Sequence, residues 1–508
     1  MALKLYNTRT RAVEEFASLR EGEVRIYVCG LTPSAQAHLG HARSFLFFDI
    51  LRRYLAHRGY RVTYVQNVTD IDDRSIKAGI ETGRDYHAIV EHFYAEFKES
   101  MRKLGILEYD FEPYATKYIG EIQQMIRELV ESGHAYVTRD GVYYRVSTFK
   151  SYGRLANRNV ADLEAGARIE VDENKEDPLD FALWKFAKPG EPRWPFEPYG
   201  DGRPGWHIEC SAMARALLDP TGVGFDIHGG GADLIFPHHE NEIAQSEPLM
   251  ARPPMANFWV HGGLLLFDNR KMAKSLGNFE PLSDLLQRHD PQAIRWLFLQ
   301  TGYRKVMNFT EGSIAAAKFA LDKLRENYRL LEKYAGSGTE SDAWAPFVDT
   351  LEIRSGAVID QLDQQMEAAL DEDVNTAAAV REVLSFSGLA RGLEKHSSLA
   401  ARARERLAYW LTILGVEPNS AWLSEPRVSL PDDFVTRVAA GIWDSGDPAA
   451  AVFAYQVADD AIGQIIAMRD EARRAKDWAE SDRLRDVLQQ CGVELHDTKE
   501  GTSWTVVG

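Results

Sequence analysis

EVRIYVCGLTPSAQAHLGHARSFLFFDILRRYLAHRGYRVTYVQN, running from Glu23 to Asn67, is the stretch from which the fold can be read. Val24, Ile26 and Val28 alternate as the apolar face of a half-buried strand does, and a Thr-Pro-Ser loop leads from them into His38. Phe45, Phe48, Leu51 and Leu55 then recur at helical spacing through Arg58, and Gly59 stands where a helix is closed. Arg61 to Asn67 reads as the next strand. In such a strand-helix-strand unit the helix N-terminus carries unsatisfied N–H groups and the positive end of its dipole, so it welcomes an anion. His38 and His41, in the run HLGH, stand at that end.

Length and composition bound what surrounds this unit. At 508 residues the chain is too long for one core and implies roughly three or four domains. No run of some twenty apolar residues exists to cross a membrane, and MALKLYNTRTRAVEEF at the start lacks the apolar centre of a signal peptide. A cytoplasmic location without membrane attachment is expected. Three cysteines, Cys29, Cys210 and Cys491, are too few and too scattered for a disulfide framework, which fits a reducing compartment. The net charge of −17 argues against a protein that coats nucleic acid indiscriminately, while leaving room for a local basic face.

Two of the cysteines have chemical company. Cys29 ends the first strand beside HLGH, and Cys210 lies in PGWHIECSAM (Pro204–Met213). FDIHGGGADLIFPHHENE (Phe225–Glu242) reads as a strand, a triple-glycine turn and a helix started by Pro237. On that helix His238 and Glu242 are four apart and share a face. Most buried cysteines are inert packing and most such His-Glu pairs are surface contacts. Cys, Cys, His and Glu together nevertheless make a set of ligands suited to zinc.

The blocks CGLT (Cys29–Thr32) with HLGH, NVTDIDD (Asn67–Asp73), GWHIEC (Gly205–Cys210), the glycine-rich run to HHENE, and KMAKSLGN (Lys271–Asn278) occur in an order that resembles the cysteinyl-tRNA synthetases, a family of class I aminoacyl-tRNA synthetases. HLGH and KMAKS look like the two ATP-handling signatures of that class. The chemistry suits them, because negative charge builds on the phosphates as pyrophosphate leaves and donors fixed in advance stabilise it. By position the resemblance assigns a single zinc ion to Cys29, Cys210, His238 and Glu242. It places Thr32, Thr69, Trp206, Gly231 and Asp233 around L-cysteine, and gives ATP, with Mg2+, to His38, His41, Lys271 and Lys274. One departure stands out: the loop in the wider class reads Lys-Met-Ser-Lys-Ser, and here its third residue is Ala273.

The reaction implied is activation of L-cysteine to cysteinyl-adenylate and transfer to the terminal ribose of cysteine tRNA, with AMP and pyrophosphate released. Zinc suits the substrate, since a pocket relying on shape rejects a near-isostere such as serine by only about a hundredfold. A soft metal separates a thiol from a hydroxyl.

The fold implied is α/β: a split Rossmann-like class I catalytic domain with an insertion, then a helical bundle and a small C-terminal anticodon-binding domain. The boundaries read from the sequence are 20–112 for the first half, 113–224 for the inserted domain and 225–311 for the second half with the lysine loop. Residues 312–415 are expected as the bundle, 416–449 as a Pro- and Gly-bearing linker with a short helix, and 450–508 as the tail. In the bundle Ala316, Phe319, Ala320 and Leu324 share one helix face, and MEAALDEDVNT (Met366–Thr376) matches a stretch of the family. Gln456 to Gln490 has one long helical pattern whose acidic residues balance its arginines. By resemblance to the anticodon-binding tail, Trp478 stacks on a base while Arg473, Asp482 and Asp497 read base edges, as single-stranded RNA recognition requires. Cys491 has no role beyond packing, and the chain is expected to act as a monomer.

Two rivals share parts of this pattern. A ligase joining activated cysteine to an amino-sugar amine would use the same zinc and ATP motifs and would not need Gln456 to Trp504. A non-catalytic RNA-binding paralogue would not need His38, His41, both lysines and all four zinc positions intact.

Overall fold

The structure is a computed structural model of the chain that describes residues 2–158, 175–271, 280–341, 356–423, 434–443, 458–498 and 501–506. It divides into two units, Met1–Pro418 and Asn419–Gly508.

The larger unit begins with a hairpin, β1 (Lys4–Asn7) and β2 (Ala12–Glu15). It continues through β3 (Glu23–Leu31), α1 (Leu39–His57), β4 (Arg61–Val68) and α2 (Asp73–Thr82). An antiparallel sheet, β5 (Ala135–Val137), β6 (Gly141–Tyr144), β7 (Phe181–Phe186) and β8 (Gly202–Pro204), is inserted here. The chain returns by α3 (Trp206–Leu218) to β9 (Phe225–Gly231), a short α4 (Glu240–Ser246) and β10 (Ala256–Gly262). Next come β11 (Leu265–Phe267) and β12 (Arg270–Lys271), then α5 (Pro291–Leu299) and β13 (Met307–Phe309).

The central sheet runs β10-β9-β3-β4 with every pair parallel. The chain goes from β3 to one neighbour, β4, and comes back to the other, β9. The carboxyl ends of β3 and β9 therefore flank a topological switch point, where open α/β sheets bind ligands. The α1 reading holds: Phe45, Phe48, Leu51 and Leu55 are all buried. Its end is a Schellman turn, with Gly59 N–H donating to Ala56 O at 3.0 Å and Tyr60 N–H to Leu55 O at 3.1 Å. Gly59 has φ of +87°, which explains the glycine.

Strand β3 departs from the half-buried expectation. Arg25 and Tyr27, on the face the alternation gave to solvent, are 7% and 0% exposed. A central strand of a parallel sheet is covered on both faces. Arg25 is accommodated because its guanidinium donates to Gly224 O at 2.8 Å and to Leu218 O.

The fold also starts before residue 20. Asn7 Nδ2 donates to Asn257 O at 2.9 Å, and Trp259 N–H to Asn7 Oδ1 at 3.1 Å, so the first hairpin extends the catalytic layer beside β10.

The helical part comprises α6 (Glu311–Ala335), α7 (Ala357–Asp371), α8 (Thr376–Ser387) and α9 (Ser397–Ile413). On α6 the buried stripe is Ile314, Ala317, Leu321, Leu324, Tyr328 and Leu331. Ala316 and Phe319 are exposed, and of the face expected from sequence only Leu324 is buried. Two faces of α6 carry apolar residues, and the one with evenly spaced aliphatics won.

Bundle and nucleotide fold share a core. The Arg295 side chain on α5 is completely buried and reaches Leu414 O at 2.7 Å, Leu104 O at 3.0 Å and Asp49 Oδ2 at 2.5 Å. Gly415, at φ +69°, lies so close that a Cβ there would stand 2.0 Å from the Arg295 guanidinium.

The smaller unit contains α10 (Phe434–Ile442), α11 (Ala458–Arg474), α12 (Trp478–Gln490) and the hairpin β14 (Val493–Thr498) and β15 (Gly501–Val506). Phe434 and Val438, expected in a linker, are buried against Ile462, Ile465, Leu484 and Leu488. Apolar residues at helical spacing outweigh the prolines on either side. The single long helix expected from Gln456 to Gln490 is two, broken at Lys476 with φ of +62° and restarted by Asp477, whose side chain accepts from Glu480 N–H. Cys491 is buried in this core, as expected of a packing residue.

Candidate functional site

At the switch point a cleft of about 540 Å³ is lined by Thr32, His38, His41, Arg74, Trp206, Gly231 and Asp233 among others, with Cys29 at its floor. Four of the five residues expected around the amino acid are therefore on its wall. Thr69 is not among the lining residues: it is buried, donates its N–H to Leu31 O at 3.1 Å, and accepts from Asn67 Nδ2 at 3.4 Å.

His38 is the N-cap of α1, and its Nδ1 accepts from Gly40 N–H at 3.0 Å. His41 Nδ1 accepts from His38 N–H at 3.2 Å, and the two rings stack with centroids 3.8 Å apart. With each Nδ1 acting as acceptor, the proton of each neutral ring sits on Nε2. Burial lowers both pKa values, His41 to about 3, with its neighbour His38 adding to the shift. The pair is thus a set of neutral N–H donors rather than cations. Gly40 leaves room for the His38 ring, since a Cβ there would come within 2.9 Å of it and displace it.

Beneath the cleft the ligand atoms of Cys29, Cys210, His238 and Glu242 all lie within 4.8 Å of one another, and all four residues are buried. The Cys29 and Cys210 sulfurs are 3.7 Å apart as free thiols, and Cys29 Sγ is 3.4 Å from Glu242 Oε1. His238 Nε2 is 3.1 Å from the same oxygen, which is the face-sharing expected of i and i+4. The Cys29 contact is the main influence drawing the Cys210 thiol down to about 6, while burial pushes Cys29 up. Burial opposes the charged form of Glu242, yet His228 and His238 bring it down to about 2. For His238 burial is likewise outweighed, by Cys210 and Glu242, and its pKa rises to about 10.

An outer layer orients this set. His228 Nε2 lies 2.9 Å from Glu242 Oε2, and His207 Nδ1 3.0 Å from His238 Nδ1. His239 Nε2 is 3.3 Å from Cys29 Sγ, and its other nitrogen continues through His261 to Thr8 Oγ1 at 2.7 and 2.8 Å. Cys29, His228, His239 and Glu242 form a second cluster within the same limits. The set with Cys210 is the better donor group, because it alone uses both thiols and its His238 packs on the cleft residue Trp206 at 4.3 Å. Sequence reasoning missed this outer layer. His207, His228 and His239 stood inside the motifs already singled out, but nothing local marks His261 or Thr8.

The lysine loop is only partly described. Lys271 ends β12, its backbone paired with Leu266, while its side chain, Ala273 and Lys274 lie outside the described residues. In the smaller unit Trp478 is 62% exposed, and Asp482 is exposed as well. Arg473 and Asp497 are already partnered: they pair with each other at 2.7 Å, and Asp497 also binds Arg469 at 2.7 Å, Arg485 at 2.9 Å and Thr502 at 2.8 Å. Among the described residues no helix is long and apolar enough to cross a membrane.

Comparison with known proteins gives the family and the fold. The family model described as tRNA synthetases class I (C) catalytic domain matches residues 15–319. A cysteine–tRNA ligase of Ectopseudomonas mendocina is 42% identical over 99% of both chains. One of Solidesulfovibrio magneticus is 41% identical over 99% of this chain and all of its own. Among solved structures, a Mycobacterium tuberculosis methionyl-tRNA synthetase in complex with methionyl-adenylate aligns with TM-score 0.54 at 14% identity, covering 77% of this chain and 89% of its own. A leucyl-tRNA synthetase of Agrobacterium radiobacter aligns with TM-score 0.57 at 12% identity, covering 80% and 89%. At such identities these two speak for the fold alone, a Rossmann-like class I synthetase core.

Proposed function

The chain belongs to the cysteine–tRNA ligase family, and from that premise we propose that it activates L-cysteine with ATP and transfers the cysteinyl group to the terminal ribose of cysteine tRNA. The observation that carries the cysteine reading is the buried Cys29, Cys210, His238 and Glu242 cluster at the floor of the cleft. Two thiolates on one tetrahedral zinc need a separation of about 3.8 Å, from Zn–S bonds of about 2.3 Å. The 3.7 Å observed fits, and the contacts of His238 and Glu242 with His207 and His228 are the outer partners that zinc ligands use. When bound there, zinc supplies a soft site for the substrate thiol and so separates cysteine from serine.

The remaining work is done by the protein's own groups. Trp206, Gly231 and Asp233 border the substrate with Thr32, while Thr69 acts from behind by fixing the end of β3 through Leu31. The Nε2–H groups of His38 and His41 face the ATP phosphates as neutral donors, so the positive charge needed as pyrophosphate departs comes from Lys271, Lys274 and Mg2+. Positioning and charge stabilisation are the main contributions in such a transfer. Trp478 offers a stacking face to the anticodon and Asp482 a carboxylate at a base edge, while Arg473 and Asp497 reach base edges by exchanging their present ion pair for the base. The protein acts as a cytoplasmic monomer.

Cysteine-dependent exchange of pyrophosphate into ATP, followed by charging of cysteine tRNA, tests the reading. Exchange with cysteine but not serine, and charging of that tRNA, are expected. Exchange without charging, combined with cysteine transfer to an amino sugar, would replace it with the small-molecule ligase. No exchange at all would leave a non-catalytic paralogue.

A further inference from the structure

The cleft must receive three anionic groups in turn, the triphosphate, the adenylate and the acceptor end of tRNA, yet its described wall is poor in positive charge. Its two histidines are held neutral. Among the described lining residues Arg74 is the only lysine or arginine.

Arg74 stands in the first turn of α2, with its side chain 73% exposed. Among the described residues its one ion pair is to Asp72, at 3.8 Å through Nε. That carboxylate is already engaged as the cap of α2, accepting from Arg74 N–H at 2.7 Å and Ser75 N–H at 3.3 Å. The guanidinium therefore has donors to offer an incoming anion. Its anchorage is firm, because the adjacent Asp73 is tied to the inserted sheet by Lys185 at 2.7 Å and Arg203 at 2.5 Å.

Topology says which anion. The sheet order places α2 after the β4 edge, whereas the β11–β12 hairpin that leads into the lysine loop follows β10 at the opposite edge. On the function proposed above, the departing pyrophosphate goes to the lysine-loop side and the adenylate phosphate to the crevice at His38 and His41. Arg74 is on the far side, on the cleft wall that Trp206 also lines, and its neighbour Asp73 is tied to the inserted sheet. We infer that Arg74 binds a backbone phosphodiester of the single-stranded acceptor end of tRNA as the terminal ribose reaches the adenylate. The inference rests on the tRNA-charging function proposed above.

Full-length Arg74→Ala and Arg74→Lys variants test it, since an exposed side chain can be changed without loss of the fold. Single-turnover transfer from preformed cysteinyl-adenylate to cysteine tRNA is expected to fall roughly tenfold in Arg74→Ala, the value of one charge-assisted hydrogen bond. Pyrophosphate exchange should stay within about twofold, because it needs no tRNA. The salt dependence of tRNA binding should flatten by about 0.7 in log–log slope, as one phosphate contact on a single strand predicts. Arg74→Lys should recover most of both. An equal loss in exchange would place Arg74 on ATP or the adenylate and overturn the inference. Unchanged transfer with an unchanged salt slope would overturn it as well. If the wild-type protein itself neither exchanges nor charges, the functional reading has failed instead.

Discussion

The cleft and the C-terminal unit are both proposed to recognise a small chemical feature, a thiol in one case and a nucleobase in the other, and they prepare for it in opposite ways. Below the cleft every ligand atom is buried, mutually oriented and backed by a further layer of histidines before any substrate arrives. In the smaller unit the Trp478 ring is largely exposed, but Arg473 and Asp497 are already spent on each other and on Arg469 and Arg485. A preassembled site loses everything when one member goes. A site whose polar groups must exchange partners loses the difference between two sets of contacts.

The largest effect should therefore follow from Cys210→Ser. Loss of bound zinc in metal analysis and a fall on the order of a thousandfold in cysteine-dependent exchange are expected, beyond the ten- to hundredfold that outer partners cost. A zinc-free variant that still rejects serine fully would break the contrast at its stronger end. Lys274→Ala comes next: removing one fixed donor to developing charge should cost about 3 kcal/mol, or roughly a hundredfold in adenylate formation, with cysteine binding nearly intact. Unchanged exchange kinetics would take Lys274 out of the reaction.

Trp478→Ala probes the other region. Stacking of one base is worth about 1–3 kcal/mol, so charging should drop roughly tenfold to a hundredfold while exchange is spared. A tRNA already altered in its anticodon should feel the change much less, and equal losses on both tRNAs would point to a destabilised tail.

The smallest effect concerns acid. Hydrogen bonds from Arg469, then from Thr502 and Arg473, hold the Asp497 carboxyl below its ordinary range. A depressed folded-state pKa gives stability that is present above the unfolded value, about 3.9, and is lost as pH falls further. Tail packing followed by tryptophan fluorescence should thus survive to about pH 4 and weaken below it, and Asp497→Asn should flatten that dependence. A wild-type profile already sloping near neutrality would assign the acid response to other groups.

Where local pattern and tertiary environment agreed, the sequence was a sound guide. The β3–α1–β4 unit is periodic, its helix closes on a glycine and it reads correctly, and the four residues proposed to hold zinc lie in motifs that the fold brings together. The failures share a cause, which is that neighbours in space decide what a strand or helix face sees. The alternation in β3 could not reveal that β4 and β9 flank it in a sheet covered on both faces. Phe319 is as apolar as Leu321, yet only the latter meets the rest of the bundle. Lys476 carries no sign that it will turn left-handed and split a long helical pattern, and Phe434 was hidden by the prolines around it. Arg74 stood one residue past a recognised motif and became visible only once the cleft it borders was known.

The buried Arg295 has a consequence for how such a chain can be inherited or recombined. Its guanidinium fills the space that glycine leaves at position 415 and is held by a carbonyl from each side of the seam. A crossover between two relatives placed near residue 311, where the first bundle helix begins, would separate Arg295 from Gly415 and Leu414. Such a chimera keeps its seam only if both parents carry the same pairing, so the catalytic fold and the bundle are constrained to descend together.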